Sequence, residues 1–250
     1  MGNELFDRFV KVRKCAACGE ILAWSPHIGA FCADCLPKWD FAKVQSCPDC
    51  LQSAIECTCM PKFLSDSGAL FLSKLFFYRP ERHRDVPNRL IYYIKRNQNR
   101  RVFGFLAEEL LSVLRNEWEK TGEELSAESM VFLSIPRGYR ARITYGFDQS
   151  DKICRAMSEQ SGIPYLPVIR RRLGGFTQKT LNRRERLRNM KRRLALRERM
   201  LERTGTRLSE KTVILFDDVV TTGSTMAAAA ELLRRAGVRR ILCLTIASNG

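Results

Sequence analysis

At 250 residues and 45% hydrophobic composition, the chain can hold one large domain or two smaller ones and can bury a real core, which excludes wholesale disorder. No run of about 18 apolar residues occurs, which excludes a bilayer-spanning helix of the usual kind. The net charge of +16 predicts an anionic partner: nucleic acid, phosphorylated metabolites or a membrane surface.

The first residues carry Glu4 and Asp7 where a signal peptide wants Lys or Arg, and no apolar region follows. Phe6 stands where a myristoylation motif wants Ser or Thr. The expectation is a soluble, cytoplasmic protein.

Eight of the ten cysteines lie between Cys15 and Cys59, as Cys15-x2-Cys18, Cys32-x2-Cys35, Cys47-x2-Cys50 and Cys57-x-Cys59. A close pair lets two thiolates bind one metal from a tight turn, and two pairs complete a tetrahedron. Eight sulfurs can fill two structural Zn²⁺ sites, and the expectation is one or two zinc ions. Sequential pairing groups Cys15, Cys18, Cys32 and Cys35, then Cys47, Cys50, Cys57 and Cys59; the spacing also allows interleaved pairing. A disulfide framework and iron–sulfur ligation are the rival readings, the first disfavoured among reduced thiols. A site of four Cys ligands has no open position, so its role is folding the segment. His27 is superfluous as a ninth ligand, and His83 lies in a charged, solvated stretch.

A domain junction is placed near Pro61, giving a Cys-rich module over residues 1–61 and a main domain over 62–250. Residues 69–78 are strongly apolar and aromatic and read as one or two strands. Residues 88–118 read as helix with a break at Asn97-Gln98-Asn99, and Lys95 ends an apolar run. Residues 130–135 read as the first clear strand of the main domain. It runs into Pro136-Arg137-Gly138-Tyr139-Arg140, a glycine among cations and hence an anion site. Residues 147–162 read as helix and 164–169 as strand. Cys154 and Cys243 stand alone and read as buried, inert thiols.

Residues 170–203 hold 14 Lys or Arg against 3 Glu. Gly174-Gly175 breaks regular structure, so residues 170–179 form a loop. A helix over 181–202 follows, with Leu187, Met190, Leu194 and Leu201 on one face. The loop can supply cations such as Lys179 to a leaving group. The helix can track a nucleic-acid backbone through Arg183, Arg184, Arg188, Lys191, Arg192 and Arg193. The plain alternative is a solvated basic face.

The stretch from Val213 to Thr225 carries the most chemistry. Four apolar residues make a buried strand, then come Asp217-Asp218, Val219-Val220 and Thr221-Thr222-Gly223-Ser224-Thr225. An Ala-rich helix over 226–236 follows, stopped by Gly237. Strand, short polar turn and helix start make a phosphate site, because free N–H groups and the positive helix end face the turn. The carboxylates suit ribose hydroxyls or a Mg²⁺ ion. Taken residue by residue, an N-capped helix with Ser224 or Thr225 as cap also fits.

This run closely resembles the phosphoribosyl-pyrophosphate (PRPP) signature of type I phosphoribosyltransferases. Further features extend the resemblance to the ComF family over nearly the whole chain. They are the paired cysteines, the helix with Lys95, Pro136 with its basic residues, Gly146-Phe147-Asp148-Gln149, Gln178, and Arg186-x-x-Asn189. Tyr145 and Asp148 depart from the family's Arg-Gly-Phe-Asn-Gln. The resemblance implies an α/β fold with a mainly parallel sheet flanked by helices, joined to an N-terminal zinc ribbon. It implies PRPP held by Thr221, Thr222, Gly223, Ser224 and Thr225 at the 5′-phosphate and by Arg137, Gly138 and Arg140 at the pyrophosphate. Asp217 and Asp218 then hold the ribose, with Mg²⁺, and Lys179 and Arg186 complete the catalytic set. Thr221 stands where the 6-oxopurine branch has a further Asp, which argues against hypoxanthine or guanine as acceptor. Two functions follow: phosphoribosyl transfer to an unknown acceptor, or single-stranded DNA handling in competence alongside the uptake machinery, with the PRPP site regulatory or vestigial.

Overall fold

The computed structural model of the protein describes residues 13–22, 29–123, 125–172 and 183–249. His27 and Lys179 lie outside the described residues, as do the side chains of Arg183, Arg184 and Arg186.

In chain order, helix α1 is Leu36–Lys43 and α2 is Lys62–Asp66, followed by strand β1, Leu72–Phe77. Next come α3, Val86–Arg96, and α4, Arg100–Glu119. The break between them falls where the sequence places it, because the Asn99 side chain accepts the N–H groups of Arg101 and Val102 and so starts a new helix. Strand β2, Met130–Ser134, leads to α5, Tyr139–Tyr145, and α6, Gln149–Ser161. Then follow β3, Ile169–Arg171, α7, Arg183–Arg193, β4, Leu194–Leu196, and α8, Glu198–Thr204. The described part closes with β5, Thr212–Val220, α9, Ser224–Arg235, and β6, Arg240–Ser248.

Strands β1, β6, β5 and β2, in that spatial order, form a four-stranded sheet in which every neighbouring pair is parallel. Their near-continuous apolar runs suit a sheet covered on both faces. Alternation along β5 sends Phe216 into a core with α4 and α6, and Leu215 into a second core with α2, α7 and α9. All four strands run the same way, so their carboxyl ends share one edge. The chain leaves β2 for α6 on one face and leaves β5 for α9 on the other, which opens a crevice between those two ends.

Two expectations are corrected. Residues 164–168 are not a strand, which begins only at Ile169: Tyr165 makes one bridge to Phe132, and Pro164 and Pro167 have no N–H with which to continue a ladder. The helix over 181–202 is interrupted, because Leu194–Leu196 pairs antiparallel with Ile169–Arg171. Burial of Leu194 in the α9-side core, with Ala195 also buried, outweighs their helix propensity. Residues 69–78, read as one or two strands, hold β1, which lies at the far edge of the sheet.

The Cys-rich segment shares the larger core. Trp39 on α1 is fully buried against Phe31, Phe76 and Phe105, at ring-centroid distances of 5.3, 5.7 and 6.0 Å. Its indole N–H donates to Glu109, which also pairs with Lys43 at 2.8 Å. Among the described residues, no helix is long and apolar enough to cross a membrane.

Candidate functional site

Two groups of four thiols stand in the N-terminal region: Cys15, Cys18, Cys32 and Cys35, and Cys47, Cys50, Cys57 and Cys59. The grouping is the sequential one. In each group the sulfurs lie within 4.8 Å of one another, and the Cys18–Cys32 sulfurs are 3.6 Å apart. A tetrahedron with metal–sulfur bonds of about 2.3 Å has edges of about 3.8 Å, so both groups fit one zinc each. The electrostatics also call for a cation. Burial pushes the Cys15 and Cys47 thiols up, but neighbouring N–H donors outweigh it and bring both down to about 7. Burial and neighbouring thiols push Cys59 up to about 12. Four thiols packed together cannot all ionise by themselves; a divalent metal resolves the conflict. Cys154 and Cys243 are fully buried elsewhere, and burial raises both thiols, so they are inert packing residues.

The phosphate-type site is built by β5 and the turn into α9. The helix cap is Gly223, in the left-handed region at φ +71°, with no side chain to occupy the N–H groups of the first turn. Neither Ser224 nor Thr225 is the cap residue; the Ser224 hydroxyl instead lies 3.0 Å from that of Thr222. Asp217 and residues 219–226, among them Thr221, Thr222, Gly223, Ser224 and Thr225, line a pocket of about 40 Å³. A Cβ on Gly223 would meet the Pro61 Cβ at 3.0 Å, so only glycine fits the close approach.

Asp217 and Asp218 lie inside β5, not beyond it, and alternation sends their side chains to opposite faces. Asp218 is buried; its Oδ2 accepts from Gln149 Nε2 at 3.0 Å and pairs with Lys95 Nζ at 3.3 Å. Gln149 Oε1 is buried with no hydrogen-bond partner among the described residues. Burial, and then the Asp218 charge, hold the Asp217 carboxyl well above the ordinary carboxylate range, while Arg171 pulls the other way. Arg171 also donates from Nε to the Pro136 carbonyl at 2.6 Å, tying β3 to the loop after β2.

That loop carries Arg137 and Gly138. Arg137 Nη1 donates to the Lys95 carbonyl at 2.9 Å, and its guanidinium lies 4.4 Å from the Tyr145 ring centroid. Its backbone N–H donates to Asp148, which also caps α6 through Ser150 N. The two departures from the family pattern therefore have a shared use: Tyr145 and Asp148 both grip Arg137. Arg140 is exposed on the first turn of α5. The structure thus brings Asp217, Asp218, residues 221–225, Arg137 and Gly138 to one edge. Arg171, from the basic stretch 170–179, belongs to the same edge, as does Tyr78, which was missed. Burial and Tyr92 push the Tyr78 phenol up to about 12, and Asp218 adds to the shift. Tyr78 sits in no sequence pattern that marks it.

The basic residues are less uniform than their sequence. On α7, Arg188 and Arg192 are exposed, Lys191 pairs with Glu231 at 2.7 Å, and Arg193 is half-buried. Exposed Arg170, Arg172, Arg197, Arg199 and Arg235 instead rim a groove of about 1230 Å³ over the β3–β4 pair and the end of α9.

Comparison with known proteins agrees with this geometry. A family model described as a phosphoribosyl transferase domain matches residues 161–250. The DNA utilization protein YhgH of Salmonella typhimurium is 31% identical over 162 residues, covering 63% of this chain and 66% of that protein. Its counterpart in Escherichia coli K12 is 29% identical over the same length, and Competence protein F of Haemophilus influenzae is 33% identical over 97 residues, 38% of this chain and 40% of that one. These matches support a ComF-like relationship for the chain. It carries a phosphoribosyl transferase domain on a mixed α/β fold with a parallel sheet, and Cys-rich groups able to form a zinc ribbon. The match spans just under two thirds of the YhgH proteins.

Proposed function

We propose that this protein binds PRPP at the carboxyl edge of its sheet and transfers the 5-phosphoribosyl group to an acceptor, releasing pyrophosphate. The observation that carries the reading is the glycine-capped start of α9, whose open N–H groups face the turn beside Asp217 and Asp218. The turn 221–225 takes the 5′-phosphate. Asp217, Asp218 and Gln149 take the ribose hydroxyls, the buried Gln149 Oε1 supplying an acceptor that no described residue uses. Arg137, Gly138 and Arg140 face the pyrophosphate, with Lys179 and Arg186 adding charge. The acceptor attacks the anomeric carbon as the bond to pyrophosphate breaks, and the cations stabilise the charge on the leaving group. Mg²⁺ accompanying PRPP supplies further neutralisation there.

Calorimetric titration of the zinc-loaded protein with PRPP, with and without Mg²⁺, tests the proposal. Saturable, Mg²⁺-sensitive binding that disappears in Asp217→Asn/Asp218→Asn is the expected result. A folded wild type that binds nothing rules the reading out.

A second reading, single-stranded DNA handling, is favoured by the arginine-rimmed groove and by the competence and DNA-utilization names of the relatives. It predicts that binding of a labelled oligonucleotide weakens steeply with salt, and that Arg170→Ala/Arg172→Ala/Arg199→Ala flattens the slope. Salt-independent binding, or an unchanged slope in the triple variant, counts against it.

A further inference from the structure

Lys74 is a lysine in the middle of a buried strand, with 1% of its surface exposed. Its ammonium donates to the Cys57 carbonyl at 2.6 Å, to the Cys59 carbonyl at 3.2 Å and to the Cys57 sulfur at 3.3 Å. It also lies 5.8 Å from the Phe77 ring centroid. Among the described residues, no carboxylate stands within ion-pair distance of it. Burying an ammonium without a negative partner is strongly unfavourable, and carbonyl oxygens carry only partial charge. A zinc held by four thiolates is a dianion, and its sulfurs accept hydrogen bonds.

We propose that Lys74 is the counter-ion of the Cys47, Cys50, Cys57 and Cys59 metal centre, and through it the lock that fastens this centre to the edge strand of the sheet. The two needs are reciprocal: the thiolates neutralise the lysine, and the lysine offsets the excess negative charge of the centre. The first thiol group is held differently. Arg101 on α4 bonds the Gly29 and Lys14 carbonyls, at 2.6 and 2.9 Å, and among the described residues it donates to no sulfur. The second centre is therefore the one whose electronic properties depend on a residue of the sheet. The lock also bears on the phosphate-type site. Two residues after Cys59, Pro61 packs on Gly223, and a cavity of about 600 Å³ separates Cys59 from Thr221 and Thr222.

The test uses the full chain loaded with zinc, and a parallel sample loaded with Co²⁺. Release of zinc to a colorimetric chelator is followed for the wild type, Lys74→Met, Lys74→Gln, Lys74→Arg and Arg101→Met. The wild type is expected to hold two zinc ions. Lys74→Met and Lys74→Gln are expected to release one of them at least tenfold faster, while Lys74→Arg, which keeps the charge, stays within a few-fold of wild type. The sulfur-to-cobalt charge-transfer bands are expected to shift in Lys74→Met and Lys74→Gln and to stay put in Arg101→Met. If Lys74→Met fails to fold, the Gln and Arg variants decide, because one keeps the donors and the other the charge. A wild type that binds a single zinc, or a Lys74→Gln protein with wild-type release and unshifted cobalt bands, overturns the proposal.

Discussion

The carboxylate of Asp148 accepts the backbone N–H of Arg137 at 2.6 Å, although the two residues lie on opposite sides of α5 in the chain. The same side chain caps α6, so one carboxylate fixes both the loop after β2 and the helix that carries Gln149. Asp148→Ala is expected to remove about 1 kcal/mol of capping stability, with more from the freed loop. At roughly 2–4 °C per kcal/mol for a domain of this size, calorimetry should show a clear drop in Tm. Asp148→Asn keeps an acceptor for Ser150 N and should lose less. An Ala variant with wild-type Tm and PRPP affinity would show that the contact is incidental.

Asp217 supplies a prediction about pH. Its carboxyl titrates well above the usual carboxylate range in the folded state because burial and Asp218 disfavour its charge. The native state therefore binds more protons than the unfolded chain above the unfolded carboxylate pKa. That contribution to stability is fully present below the unfolded value and is lost as pH rises through the folded one. Asp217→Asn removes the carboxyl whose ionisation folding opposes, so it is expected to raise Tm at pH 7 without PRPP and to abolish PRPP binding. The difference in Tm between variant and wild type should grow from pH 4 to pH 7. A difference that stays constant over that range contradicts the sign of the shift.

Gly223 is held at φ +71° under Pro61. Gly223→Ala is expected to cost roughly 1–2 kcal/mol for the left-handed backbone, and more for the contact with Pro61. It should also weaken PRPP binding by tenfold or more, because the turn must shift away from the helix start. Thermal melts and calorimetric titration of one sample separate the two effects. An affinity within twofold of wild type would mean that the turn does not hold phosphate.

Metal removal should be visible at Trp39, whose ring is fully buried among Phe31, Phe76 and Phe105 beside the first thiol group. Chelation is expected to open that segment and shift tryptophan emission to the red, with zinc restoring it. Trp39→Phe should remove most of the change. Emission that ignores chelator would mean that the aromatic cluster holds without metal.

Some of this chemistry is fixed by neighbours in the chain. The Cys spacings require tight turns, the four apolar residues before Asp217 require a strand buried on both faces, and Asn99 starts a helix through its own side chain. Such features depend on hydrogen bonds and backbone angles within a few residues, so they are legible in order along the sequence. What depends on distant segments is not. The pairing of Leu194–Leu196 with Ile169–Arg171, the sequential grouping of the thiols and the gathering of Arg171 and Tyr78 at the site edge all need the sheet to be assembled. Lys74 makes the contrast plainest. In sequence it is one cation among 43 Lys and Arg residues; only the packing of β1 against Cys57 and Cys59 makes it a buried charge, because low-dielectric surroundings exist only once the fold has excluded water.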